Sequence, residues 1–416
     1  MCDKYNLIKV IIMASKKQWV KKRHVFFKKF FHLILLIPLK IKYHFKYDKF
    51  KIEKNKSYIV VCNHVTTLDP IFLNLAFNKM LYYVGSDDLF NIKYLSWWLK
   101  FITGIIPKSK GKSDIQTVKT MLRVIKEGGT VAVFPEGNRT YSGELCYISP
   151  AITKFFKKTN VPIIIYNVNG GYGADPRWAF KKRKGHLAFN IKRILEPAEY
   201  KDLTDDELHE LILKELSVND MESGYLFESN KKAECIERVL FRCPECGSIN
   251  TITSSGNKFS CSSCKETWEY NSNLTITKNQ ELYKLPYVKD WYNEQINYIV
   301  NYNVETEDFI FEDDSVQIYS FRPGKLKKLI GVGRVRLYKD YLEFVTKKET
   351  IRYNLSDMEG VSVAGKSGLL FRINDIAFKV RDYKKVRHNF NSLKYVLMIY
   401  HIRNKDKNEE VEYLGI

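Results

Sequence analysis

The chain has 416 residues, 45% hydrophobic and 28% charged, a globular composition that excludes intrinsic disorder and gives room for two or three domains. Its formal net charge of +21 calls for an anionic partner, with nucleic acid, anionic lipid and an acidic carrier as the candidate classes. No apolar run reaches the roughly 18 residues that a membrane-spanning helix requires.

Residues 1–56 hold sixteen Lys and Arg against three Asp and Glu, so most of the positive excess belongs to this segment. Within it, residues 30–39 form a short apolar run flanked by Lys28 and Lys29 on one side and Lys40 and Lys42 on the other, with Phe26, Phe27, Phe30 and Phe31 interleaved. A short apolar core with basic and aromatic flanks predicts an interfacial helix on an anionic membrane surface. An amphipathic helix packed on the domain is the alternative. No secretory signal with a cleavage site is evident, so the eight cysteines are expected as reduced thiols in the cytosol.

From 57 to 216, short β-rich runs alternate with helical stretches. The runs at 58–62, 81–84, 130–134 and 161–165 read as buried strands. Ile115, Val118, Leu122 and Ile125 recur at helical spacing before Gly128-Gly129, and Ser149-Pro150 caps a further helix. The alternation predicts an α/β domain, a mixed sheet flanked by helices. A polar linker is expected at 217–242, a cysteine-paired unit at 243–270, and a helix plus β-rich module at 285–416. The module is expected to begin with a helix at 290–301. Strands should come next at 315–321, 334–345, 350–353, 369–373 and 376–380, then a closing helix at 384–403. Strands closed by one helix match the element order of a pleckstrin-homology-like or GRAM-like barrel.

The candidate chemistry lies at two strand ends. In Asn63-His64-Val65-Thr66-Thr67-Leu68-Asp69-Pro70, a carboxylate five positions after a histidine can hold one ring nitrogen and leave the other as a general base toward a hydroxyl. Without a serine in the constellation, that hydroxyl must come from a substrate. In Phe134-Pro135-Glu136-Gly137-Asn138-Arg139-Thr140, a flexible loop can present a guanidinium and a hydroxyl to a phosphate. Either motif alone is as readily a structural turn.

Together, Asn-His-x4-Asp and Phe-Pro-Glu-Gly-x-Arg-Thr about seventy residues apart resemble the glycerolipid acyltransferase superfamily of the 1-acylglycerol-3-phosphate acyltransferase type. Gly104-Ile105-Ile106-Pro107-Lys108-Ser109-Lys110-Gly111 looks like that family's second block, with Lys110 where an Arg is usual, and 161–166 looks like its fourth. The resemblance implies an O-acyltransferase with His64 as base and Asp69 as its orienting carboxylate. Lys110, Glu136, Gly137 and Arg139 would hold a glycerol phosphate. It also implies an acyl-coenzyme A or acyl carrier protein donor and a lysolipid acceptor, lysophosphatidic acid giving phosphatidic acid, with glycerol 3-phosphate or another lysolipid as the alternative. The expected location is the cytoplasmic face of a membrane, held peripherally. The rival of another class is an inactive adaptor that keeps the fold and recruits a membrane or nucleic acid.

Cys243-Pro244-Glu245-Cys246 and Cys261-Ser262-Ser263-Cys264 have the spacing of a structural zinc ribbon, four thiolates around one Zn2+. A redox dithiol would need only one pair. Between them Lys258 is the one basic residue, so a nucleic-acid surface is not expected there.

Overall fold

The computed structural model describes residues 18–86, 97–98, 101–108, 115–305, 308–322, 327–383 and 390–404. A seven-stranded mixed sheet forms the first unit. Its strands are β1 (Lys46–Tyr47), β2 (Ile59–Cys62), β3 (Leu81–Ser86), β4 (Ile106–Lys108), β5 (Thr130–Val133), β6 (Ile163–Asn169) and β7 (Ala188–Leu195), in the order β1-β7-β6-β2-β5-β3-β4. All neighbours are parallel except β6 and β7.

Both faces are covered, which is why the strands read as continuous apolar runs. Val60, Cys62, Ala132, Ile164 and Tyr166 point to one face, against Phe72 and Leu73 of helix α2 (Asp69–Ala76). Ile59, Val61, Val131, Val133, Ile163 and Ile165 point to the other. They meet α3 (Ile115–Lys126), α4 (Ala151–Thr159) and α5 (Asp205–Leu216). The predicted helix over α3 is present, but its buried face is Thr117, Thr120, Met121 and Val124, whereas Ile115 and Val118 are exposed. Gly128, at φ +80°, ends it, with its N–H and that of Gly129 returning to Ile125 and Val124.

Ahead of the sheet runs helix α1 (Lys22–Tyr43). It docks through buried His24 and Lys28 and through Leu36, Leu39 and Tyr43. Its outer face is apolar: Leu33 is 77% and Ile41 69% exposed, and Phe26, Phe30, Ile34 and Ile37 are also exposed. No helix among the described residues is long and apolar enough to cross a membrane.

The stretch 217–242, expected as a polar linker, is instead packed. Phe227, Ala233, Ile236, Val239, Leu240 and Phe241 are all buried in a core shared with the two C-terminal sheets. The first of these is antiparallel and five-stranded: β8 (Ile252–Ser255), β9 (Lys258–Cys261), β10 (Thr267–Tyr270), β11 (Ile276–Lys278) and β12 (Glu281–Leu282). After α6 (Val288–Val300), the last unit comprises β13 (Phe311–Phe321), β14 (Lys328–Leu337), β15 (Tyr341–Thr346), β16 (Thr350–Asn354), β17 (Glu359–Ala364), β18 (Gly368–Ile373) and β19 (Ile376–Asp382). These strands are antiparallel, in the order β16-β15-β14-β13-β19-β18-β17, and α7 (Ser392–Asn404) packs on β17 and β18.

Candidate active site

The carboxyl ends of β2, β5 and β6 lie side by side, the position where open α/β sheets present ligand sites. β2 ends at Cys62 and is followed by Asn63, whose side chain is locked onto β6, donating to the Val168 carbonyl (3.2 Å) and accepting from the Val168 N–H (2.7 Å). His64 is next in the chain. Its Nδ1 lies 2.9 Å from Asp69 Oδ2. Because an ionised carboxylate only accepts, Nδ1 carries the proton and Nε2 keeps its lone pair.

Asp69 is 0% exposed and sits in the first turn of α2. Its Oδ2 also accepts from the N–H groups of Val65 and Thr66, each at 2.9 Å, and Thr66 Oγ1 donates to Oδ1. Pro70, next in the helix, lacks an N–H at a place where none is needed. The turn therefore folds around the carboxylate, and the carboxylate then aims the imidazole. The His64 side chain keeps 20% exposure, and its ring stacks on Phe134 at 4.4 Å between centroids.

Phe134 opens the second loop. Gly137 takes φ +68° and donates to the Phe134 carbonyl at 3.0 Å, a tight turn with open space where a Cβ would stand. Glu136, expected to touch substrate, is buried with both oxygens engaged. Oε1 accepts from the His64 N–H (2.6 Å) and Oε2 from the Cys146 N–H (3.0 Å). Burial pushes its carboxyl up to about 7. It ties the loop to the strand end that carries the imidazole.

The Thr140 N–H reaches the His64 carbonyl at 3.4 Å, so Arg139 is the residue next to that link. The Arg139 guanidinium faces buried Asp175 at 3.7 Å, and Lys182 approaches the same carboxylate at 3.5 Å. Lys110 lies outside the described residues. Sequence reasoning missed Asp175, Thr66 and the Phe134 platform. Thr66 had a local signal, a hydroxyl three positions before a helix-opening acid, whereas Asp175 had none.

The four paired cysteines converge. Their sulfurs lie within 4.8 Å of one another, with Cys243 to Cys264 and Cys246 to Cys261 each at 3.7 Å. Tetrahedral thiolates about 2.3 Å from one ion must be separated by about 3.8 Å, so the set fits a zinc ion. Each knuckle turns through a residue of positive φ, Gly247 at +73° and Lys265 at +66°.

Residues 44–167 match the Acyltransferase family model. The 1-acyl-sn-glycerol-3-phosphate acyltransferase of Saccharomyces cerevisiae is 27% identical over 230 residues, 51% of this chain and 70% of that protein. The Bacillus subtilis protein of the same name is 27% identical over 95 residues, 23% of this chain and 47% of its own length. The chain thus spans about half the length of the bacterial relative. A crystal structure of the 1-acyl-sn-glycerophosphate acyltransferase from Thermotoga maritima aligns with a TM-score of 0.37 at 17% identity, covering 52% of this chain and 82% of that one.

Proposed function

We propose that this chain, whose residues 44–167 match the Acyltransferase family model, transfers a fatty acyl group from an acyl thioester to the hydroxyl of a lysophosphatidic acid-like glycerolipid, making phosphatidic acid. The observation that carries the reading is the His64–Asp69 pair, with one ring nitrogen committed at 2.9 Å and the other available. His64 Nε2 takes the hydroxyl proton as the acceptor oxygen attacks the thioester carbonyl. The new C–O bond forms, the tetrahedral intermediate collapses, the C–S bond breaks, and the proton leaves with the thiolate. Asp69 stabilises the imidazolium between these steps.

Arg139 and the open turn at Gly137 receive the acceptor phosphate, with Lys110 assisting. Glu136 acts by holding that loop against His64. The donor is acyl-coenzyme A or acyl carrier protein. The outward apolar residues of α1, set among lysines, support peripheral docking on the cytoplasmic face of an anionic membrane. Cys243, Cys246, Cys261 and Cys264 hold a structural Zn2+. The strand order of β13–β19 with its closing helix supports a pleckstrin-homology-like module.

The test is a panel of purified acceptors, lysophosphatidic acid, glycerol 3-phosphate and neutral lysolipids, each offered with acyl-coenzyme A and acyl carrier protein thioesters. Transfer should be fastest to lysophosphatidic acid. A preference for an acceptor without phosphate would overturn the assignment.

A further inference from the structure

Among the described residues, the C-terminal module bonds the acceptor loop at the end of β17 and the turn that leads into β18. Gly365 takes φ +69° there, which exposes consecutive carbonyls toward the acyltransferase domain. The residue that reads them is Arg177. It is 1% exposed, and its guanidinium meets three carbonyls: Nε to Gly365 at 3.0 Å, Nη2 to Val363 at 2.9 Å and Nη1 to Arg139 at 2.8 Å. Its carbon lies 4.3 Å from the centroid of the Tyr141 ring. The Tyr141 hydroxyl donates to the Lys366 carbonyl at 2.9 Å, and Asn138 Nδ2 to that of Val363 at 3.3 Å. In return, the Lys366 ammonium donates to the Ala179 carbonyl. Residues 138, 139 and 141 of one loop are therefore tied to a turn more than 200 positions later in the chain.

Adhesion between the units does not need this clamp. An apolar core runs without interruption from Tyr172 and Trp178 through Trp268 and Trp291 to β13–β19. The guanidinium adds direction instead: a planar fork fixes the orientation of its acceptors, as a single ammonium cannot. It does so at the main chain of Arg139, while Asp175, two residues earlier, faces the Arg139 side chain. Arg139 is thus held at both ends, by two residues of one turn.

We propose that Arg177 and the 363–366 turn are positioning elements of the acceptor-phosphate loop, so that the acyltransferase centre of this chain is complete only with its last third in place. This rests on the reading of Arg139 as the acceptor-phosphate ligand. Arg177→Lys keeps the charge and loses the fork, and Tyr141→Phe removes one hydroxyl that bonds the turn. In the full chain, Arg177→Lys should raise the KM for lysophosphatidic acid about tenfold, with kcat and the KM for acyl-coenzyme A within about twofold. Tyr141→Phe should shift the same constant in the same direction by less. An unchanged acceptor KM with lowered thermal stability would overturn the proposal and leave only a domain contact.

If Arg177→Lys does not fold, Tyr141→Phe decides by the same constants. Amide hydrogen exchange of 136–143 separates the two layers of the argument. Faster exchange there in the variants is expected even if no lysolipid is acylated, and that inactivity would sink the acceptor reading alone. Unaltered exchange in that segment would sink the positioning role.

Discussion

At the carboxyl end of β2, His64 commits one nitrogen to Asp69 and keeps the other. In the ribbon, four sulfurs lie within 4.8 Å of one another, a set that one metal ion would close. Both constellations come from short motifs with fixed spacing, and both are bound by backbone turns that shape them. They differ in whether a valence is left over. A set closed on itself suits a structural task, and a set with one reachable lone pair suits proton transfer. The same contrast holds inside the acyltransferase loop, where Glu136 is closed by two amides while Gly137 faces open space.

Removing the open valence should have the largest effect. His64→Ala is expected to lower kcat by about 10³- to 10⁴-fold with the far-ultraviolet circular dichroism unchanged. Asp69→Asn should lose about a hundredfold, because the ring loses its aim and its counter-charge but keeps its lone pair. Near wild-type turnover in purified His64→Ala would break the comparison at its root. The ribbon should answer in the opposite way. Cys261→Ser should release zinc, measured as metal per chain, and lower the melting temperature, while activity per folded molecule stays within about twofold. A fully ordered ribbon in a metal-free preparation would remove the basis for calling that set closed by a metal.

How much of this was legible beforehand depends on the range of the interactions. The parallel core strands, the His64–Asp69 turn and the cysteine knuckles rest on residues a few positions apart, so pattern and spacing carry them. The face of α3 was not legible, since Thr117 and Met121 are buried by what packs on them, while Ile115 is left outside by the same packing. β7 carries Asn190, Lys192 and Arg193 within its apolar run, so pattern does not single it out as a strand, though register with β6 makes it one. The segment 334–345 reads as one strand, and Tyr338-Lys339-Asp340 divides it into β14 and β15. β17 escaped notice because Gly360 and Ser362 dilute its apolar pattern. Asp175 and Arg177 carried little local signal, because Arg139 lies 36 positions from Asp175 and the carbonyls that Arg177 meets lie 38 to 188 positions from it; Lys182 is the one near partner, seven positions after Asp175.

Glu136 tests the closed half of the active-site loop. Glu136→Gln places an amide N–H₂ against one of two backbone donors, so one amide loses its acceptor, a cost of about 1–3 kcal/mol in stability. The effect on kcat should be smaller than that of Asp69→Asn. The pH dependence has a definite sign. Burial raises this carboxyl to about 7 from an ordinary value of 4.5, so the folded chain binds the proton more tightly than the unfolded one. Its contribution to stability is full below about 4.5 and is lost as pH rises through about 7. The melting temperature of wild type minus that of Glu136→Gln should therefore fall across that window, and a flat difference would remove Glu136 from the set of titrating groups that govern stability.

His24 sharpens the rule, because by valence alone it would be a second base. Its Nδ1 lies 3.2 Å from the Tyr82 hydroxyl, and its Nε2 has no hydrogen-bond partner among the described residues. Yet it is 1% exposed, on the inner side of α1, with no carboxylate hydrogen-bonded to it among the described residues and Arg23 and Lys21 nearby. Burial first, and then those cations, lower its pKa to about 4. A free lone pair becomes a base only where a substrate can reach it and a carboxylate can bear the charge, and His64 meets both conditions. The consequence for His24 is structural. Between about 6.5 and about 4 the unfolded chain takes up a proton that the folded chain refuses, so stability drops as pH falls through that window. His24→Gln should remove that component, so the difference in melting temperature between wild type and variant should narrow as pH falls from about 6.5 to about 4. Acyl transfer at pH 7 should be nearly unchanged in the variant. A loss of turnover as deep as that of His64→Ala would show that the two histidines share the proton-transfer step.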